Sequence, residues 1–141
     1  MYIEWRWEWT FEILPQMLWA TLNTFLAAGV GYAIAAIVGI LFMLGQRTSY
    51  KIINIPTREV VEFIRSTPLL VQLFFVYFVA PQFGLTLSAW VCAMITIGLH
   101  YGTYLSEVYR GALEGVPKTQ WEACRALNFS TSYNYRKIIL P

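Results

Sequence analysis

Aspartate is absent from this 141-residue chain, and charged side chains of every kind make up only 13% of it. Histidine occurs once, as His100, and cysteine twice, as Cys92 and Cys124. These shortages exclude several classes of function. An intramembrane enzyme needs a nucleophile–base pair or a metal set, and His100, Cys92 and the glutamates are not spaced to supply one. Neither cysteine has a second Cys or a His at metal-ligand spacing. The formal net charge of +2 is too small to point to a nucleic-acid partner. No Gly-rich phosphate loop with Lys and Ser/Thr is present, so ATP binding by this chain is not expected. Internal repeats and low-complexity linkers are also missing. A secretory leader would carry basic residues before a short apolar core. Here Glu4, Arg6, Glu8 and Glu12 precede the first apolar run, which is read as an uncleaved span.

What the chain has instead is apolar length. Hydrophobic residues reach 57%, too many for an ordinary soluble surface. Residues 13–46 carry no charge, and a bilayer core of about 30 Å needs about 20 helical residues. In lipid the backbone must pair internally, so a helix is expected, with Pro15 in its first turn. A second uncharged run, 66–106, is too long for one helix, and Pro81-Gln82-Phe83-Gly84 divides it. The expected organisation is all-α. An outer aromatic and acidic tail covers 1–12, with Tyr2, Trp5, Trp7, Trp9 and Phe11 as an interfacial belt. Span one follows at 13–46, a cytoplasmic loop at 47–59 and span two at 60–80. An outer turn at 81–84, span three at 85–106 and a cytoplasmic segment at 107–141 complete the chain. Thr67-Pro68 is expected to break or kink span two. Arg47, Lys51 and Arg58 follow span one, and Arg110, Lys118, Arg125, Arg136 and Lys137 follow span three. The positive-inside rule then puts the N-terminus outside.

Within this frame a few residues stand out. Ala27, Gly31, Ala35 and Gly39 recur every four residues on span one, and Gly98 and Gly102 do the same on span three. Such stripes let helices approach closely, here within the chain or, less favoured, between subunits. His100 inside span three is a candidate for the substrate path, against the blander reading of a neutral packing histidine. After span three, Pro117 suits a helix start, and Trp121, Cys124 and Leu127 form an apolar stripe. Lys118, Glu122 and Arg125 lie on the other side, where Glu122 can pair with either base. Asn128 fits the left-handed position that closes a helix. This short amphipathic helix would lie on the membrane surface or dock into a groove of a cytoplasmic partner.

The same residues resemble the cytoplasmic motif of type I ABC importer permeases. That motif reads Glu-Ala-Ala, three residues, Gly, nine residues, Ile-x-Leu-Pro. The chain has Glu122-Ala123-Cys124, three residues, Asn128, nine residues, then Ile138-Ile139-Leu140-Pro141. Cys124 replaces Ala and Asn128 replaces Gly. Phe63, Ile64, Arg65, Thr67, Pro68, Leu69, Leu70 and Gln72 resemble the signature of the polar amino-acid branch, with Ser66 where Gly is usual. Gly98-Leu99-His100-Tyr101, Ser106-Glu107-Val108-Tyr109-Arg110 and residues 120–128 look most like permeases for ectoine and hydroxyectoine. The resemblance implies a multi-pass protein of the bacterial inner membrane that forms part of a translocation path. It implies an ATPase partner docked on Gln120, Trp121, Glu122, Ala123, Cys124, Leu127, Asn128, Ile138, Leu140 and Pro141. ATP and magnesium would sit on that ATPase and not on this chain. A second permease chain, a solute-binding protein and membrane lipid are the other implied partners. Such permeases usually continue for two more spans, so the sequence is expected to be C-terminally shortened. The competing expectation is a small membrane scaffold or assembly protein derived from a permease, without transport.

Overall fold

The structure is a computed structural model and describes residues 7–139. The expected contributions of Tyr2, Trp5, Leu140 and Pro141 lie outside the described residues. Six α-helices follow one another, with no strand among the described residues. Helix α1 covers Trp7–Arg47, α2 Lys51–Ser66 and α3 Leu69–Phe74. A π turn at Phe75–Val79 and a 3-10 turn at Ala80–Phe83 extend α3. Helix α4 covers Ala89–Glu114, α5 Lys118–Ala126 and α6 Thr131–Asn134, and a π turn at Tyr135–Ile139 follows.

Helix α1 is longer than the uncharged run that predicts it. Its 41 residues give about 60 Å at 1.5 Å per residue, twice an apolar bilayer core. The helix already includes Trp7, six residues before Ile13, so Pro15 lies in its interior and not in its first turn. A proline there removes one backbone hydrogen bond, a cost that a long helix absorbs by local adjustment. Trp7, Trp9 and Phe11 are helical and exposed.

The expected loop at 47–59 is helical from Lys51 onward, and span two is not one straight element. Helix α2 ends at Ser66 because Pro68 forces Thr67 into an extended conformation, φ −97° and ψ 130°. The chain turns by 103° between Lys51–Ser66 and Leu69–Phe83. Gly84 then closes the 3-10 turn at φ 82°, a left-handed conformation that glycine adopts without strain. Its N–H donates to the Pro81 carbonyl at 3.0 Å, and the Leu85 N–H donates to Ala80 at 3.1 Å. Ser88 caps α4, its hydroxyl accepting from the Val91 N–H at 3.4 Å.

By length and composition α1 can cross a membrane, and the bent pair is a second candidate. Helix α4 has the length but not the apolarity, which departs from the expectation of a plain third span. Its buried residues explain why: Thr96, His100, Thr103 and Ser106 share the inward side with Cys92, Gly98 and Gly102. These four polar residues of α4 are turned to protein, and the hydroxyls of Thr96, Thr103 and Ser106 are paired within the helix. Thr96 donates to the Cys92 carbonyl at 2.7 Å, Thr103 to His100 at 2.6 Å and Ser106 to Thr103 at 2.6 Å.

The packing of α1 on α4 is the core. Gly31, Ala35 and Gly39 are buried on α1, as are Gly98 and Gly102 on α4. A Cβ built on Gly98 would overlap the Ile34 side chain, and one on Gly102 would lie 2.7 Å from Val38 Cγ1. One on Gly31 would lie 2.8 Å from Ile97 Cγ2. The small residues of each helix therefore receive the branched residues of the other, within one chain. Ala27, the first of the stripe, is only half-buried.

Candidate functional site

The segment that carries the resembled motif begins where Glu114 ends α4. Pro117 precedes α5 with φ −54°, and the helix runs from Lys118 to Ala126. One side chain anchors it: Cys124 is 2% exposed, at the position where the resembled motif carries alanine. Trp121 is half-buried and meets the Tyr135 ring edge-on at 5.7 Å. Leu127 is 63% exposed, so the expected apolar stripe is limited to Trp121 and Cys124. Gln120, Glu122, Ala123 and Arg125 face outward. Glu122 forms no ion pair with Lys118 or Arg125 among the described residues, contrary to the pairing expected from spacing. Its carboxylate is left available at the surface.

Asn128 closes the helix at φ 50°, the left-handed conformation that its place in the sequence predicts. Around it the Leu127 N–H donates to Ala123, the Asn128 N–H to Arg125 and the Phe129 N–H to Cys124, at 3.0, 3.0 and 3.2 Å. The last carbonyls of α5 thus find partners, as helix ends require. Beyond Ser130, which caps α6, the chain returns to the core. Ile139 is 8% exposed and lines an apolar cleft of about 630 Å³ with Ile40, Met43, Leu44, Tyr109 and Tyr135. Ile138 is half-buried. The motif segment is therefore fixed at both ends, by Gly115–Pro117 to α4 and by Ile139 to α1 and α4.

A second group of polar residues brings together Arg65, Ser106, Glu107 and Arg110, named above by resemblance, with Gln46, which the sequence did not single out. Gln46 at the end of α1 is 3% exposed and its Nε2 donates to Ser106 Oγ at 3.1 Å. The neighbouring cleft, about 200 Å³, is lined by Gln46, Arg58, Glu62, Arg65, Glu107 and Arg110. Arg110 bridges two carboxylates, Glu107 at 2.5 Å and Glu114 at 2.9 Å. The hydrogen bond from Arg110 holds the Glu107 carboxyl below the usual carboxylate range, outside the apolar stretch that ends at Ser106. The helical recurrence of Thr96, His100, Thr103 and Ser106 was the available signal for this polar side of α4.

The signature residues of span two gather at the corner between α2 and α3. Arg65 stacks over the Tyr104 ring at 5.1 Å. Gln72 donates from Nε2 to the carbonyls of Ile64 and Thr67, at 2.7 and 2.9 Å. Phe63 and Leu70 point outward, while Ile64, Thr67 and Leu69 are half-buried. His100 lies between these regions, 8% exposed, with its ring 5.2 Å from Tyr104 and 5.3 Å from Tyr101. Its Nδ1 has no hydrogen-bond partner. It lines neither cleft, so the geometry gives it a packing environment and no link to α5.

Comparison with known proteins places this arrangement. Residues 37–141 match the family described as binding-protein-dependent transport system inner membrane component, and the chain belongs to that family. It is accordingly an inner-membrane protein. It is 36% identical over 132 residues to a probable amino-acid ABC transporter permease of Sinorhizobium fredii, covering 92% of this chain and 56% of that protein. It is 33% identical over 140 residues to a nopaline transport system permease of Agrobacterium fabrum, covering 92% and 58%. A solved amino acid ABC transporter with histidines matches with a TM-score of 0.75 at 24% identity, over 100% of this chain and 65% of that one. That likeness shows the fold. The chain spans between 56% and 63% of the length of the first three curated relatives it matches.

Proposed function

We propose that the chain is part of the membrane-spanning permease of an ABC importer for amino acids, with α5 as the element that couples it to a separate ATPase. The observation that carries this reading is the build of residues 118–139. A short helix is closed by a left-handed Asn128, pinned through Cys124 and Ile139, and presents an unpaired Glu122 outward. A docking helix needs that combination of a rigid base and a free polar face. ATP and magnesium bind on the ATPase subunit, whose closure shifts the permease between outward and inward access. A second permease chain completes the path, and a solute-binding protein delivers cargo to the side that holds the N-terminus. The distribution of Lys and Arg supports that orientation.

The cargo is a polar amino acid or an amino-acid-like compatible solute, ectoine or hydroxyectoine by resemblance of residues 98–110 and 120–128. A scaffold without transport has no observation in its favour. Glu122→Lys in the intact transporter should reduce co-purification of the ATPase and lower uptake. Unchanged co-purification together with unchanged uptake would sink the coupling role. Competition of labelled-solute uptake by ectoine and by common polar amino acids tests the cargo. Equal indifference to both removes the solute assignment.

A further inference from the structure

The 103° corner between α2 and α3 needs an explanation in backbone chemistry. In an unbroken helix the Ile64 carbonyl would accept from the N–H of residue 68, and Pro68 has none. The extended Thr67 also removes the regular donors of neighbouring carbonyls. An unpaired carbonyl in an apolar setting is costly, because it loses water and gains no donor in return. Yet four carbonyls at the break, those of Phe63, Ile64, Arg65 and Thr67, are served. Phe63 accepts from the hydroxyls of Ser66 at 3.0 Å and Thr67 at 2.8 Å. Ile64 accepts from the Thr67 N–H at 3.3 Å and from Gln72 Nε2 at 2.7 Å. Thr67 accepts from the same Gln72 nitrogen at 2.9 Å. Arg65 accepts from the Tyr104 hydroxyl at 3.4 Å.

Gln72 differs from the other donors. It belongs to α3, whereas Ile64 belongs to α2, so its two amide hydrogens tie one helix to the other across the break. Ser66 and Thr67 serve only their own side. We infer that Gln72 is a positioning residue: its amide stands in for the N–H that Pro68 lacks and clasps the corner at a fixed angle. The clasp thereby sets the charged face of α2 against α4. Arg58, Glu62 and Arg65 on that face line the polar cleft with Gln46, Glu107 and Arg110, so the corner angle decides how that cleft is shaped. A hydrophobic residue of similar size would fill the space, take the Gln72 donor from the Thr67 carbonyl and leave Ile64 only the bond from the Thr67 N–H.

The transport arm of the test rests on the permease reading above, and the structural arm does not. Spin labels at Glu59→Cys and Phe78→Cys, both exposed positions, report the corner in the assembled transporter with Cys92→Ala and Cys124→Ala. A continuous helix would separate these positions by about 28 Å, and the corner brings them closer. Gln72→Leu should broaden the distance distribution. Gln72→Leu combined with Pro68→Ala, which restores the backbone donor, should lengthen the separation toward about 28 Å. Maximal uptake per inserted transporter should fall about tenfold in Gln72→Leu with KM unchanged, the equivalent of about one hydrogen bond. Gln72→His, which keeps an N–H donor, should recover part of the rate. If Gln72→Leu does not insert, Gln72→Asn withdraws the same amide by one methylene and should broaden the distribution less. A distribution as narrow as the native one in every Gln72 variant that inserts overturns the clasp, whatever the uptake. A native transporter that moves no solute overturns the permease reading and leaves the spin-label distances to decide the clasp.

Discussion

The α1–α4 seam and the α2–α3 corner both place polar backbone in an apolar setting, and they satisfy it in opposite ways. Along the seam the backbone stays helical and pairs with itself. Close packing does the rest: Gly31, Gly39, Gly98 and Gly102 remove side-chain bulk so that branched neighbours can enter. At the corner the helix is broken and its carbonyls are served by the side chains of Ser66, Thr67, Gln72 and Tyr104. A seam built on shape should be sensitive to added volume. A corner built on donors should be sensitive to their loss and tolerant of volume at its exposed edge.

The largest expected effect tests the shape half of that contrast. Gly98→Ala must place its Cβ inside the Ile34 side chain and 3.4 Å from the Gly31 carbonyl. Overpacking of this kind costs about 1–3 kcal/mol where neighbours can shift, and the facing backbone leaves little room to shift. Thermal unfolding of the detergent-solubilised protein should move well below the native midpoint. Gly111→Ala is the matched control, because nothing lies within 4 Å of its built Cβ. It should be neutral or raise stability by up to about 1 kcal/mol, since alanine favours a helix interior over glycine. Equal effects at the two positions would remove close approach as the basis of the seam.

A smaller effect is expected where the seam itself uses a polar bond. Gln46→Leu removes the donor to Ser106 Oγ while Ser106 keeps its own bond to the Thr103 carbonyl. No buried donor is stranded, so the loss should be about 1 kcal/mol, the net value of one hydrogen bond. Ser106→Ala should cost a similar amount, and the double variant should cost less than the sum of the two. Full additivity in a double-mutant cycle would show that the two side chains do not act together.

How far the sequence carried this account differs between the same regions. The small-residue stripes were legible because helical spacing alone puts Gly31 above Ala35 and Gly98 above Gly102. The break at Thr67-Pro68 was legible because proline acts on its immediate neighbour. The angle of the corner was not, since it depends on Gln72 reaching back eight residues to Ile64. The start of α1 and of α2 escaped as well. Charged residues can extend a helix beyond the bilayer, so the loss of charge marks a membrane boundary and not a helix boundary. Gln46 looked like the last residue of an apolar run, and only the pairing of α1 with α4 gives it a partner 60 positions away. Glu122 illustrates the reverse error. Its spacing allows a bond to Lys118 or Arg125, but exposed ion pairs of this kind contribute little, and none forms.

The end of α5 gives the smallest and most local prediction, because there one backbone conformation decides the outcome. Asn128 sits at φ 50°, where a residue with a Cβ and no local hydrogen-bonding side chain loses about 1 kcal/mol. Asn128→Ala should therefore loosen the end of α5 without disturbing the seam. Exchange of the Leu127 and Phe129 amides, which donate to Ala123 and Cys124, should quicken about fivefold, the kinetic equivalent of that energy. Asn128→Gly should exchange at or below the native rate, since glycine takes the left-handed conformation freely. The amides of α4 around Gly98 and Gly102 should not respond in either variant. If they do, the segment and the seam open as one unit, and the contrast between a rigid packed core and separately fixed polar corners does not hold.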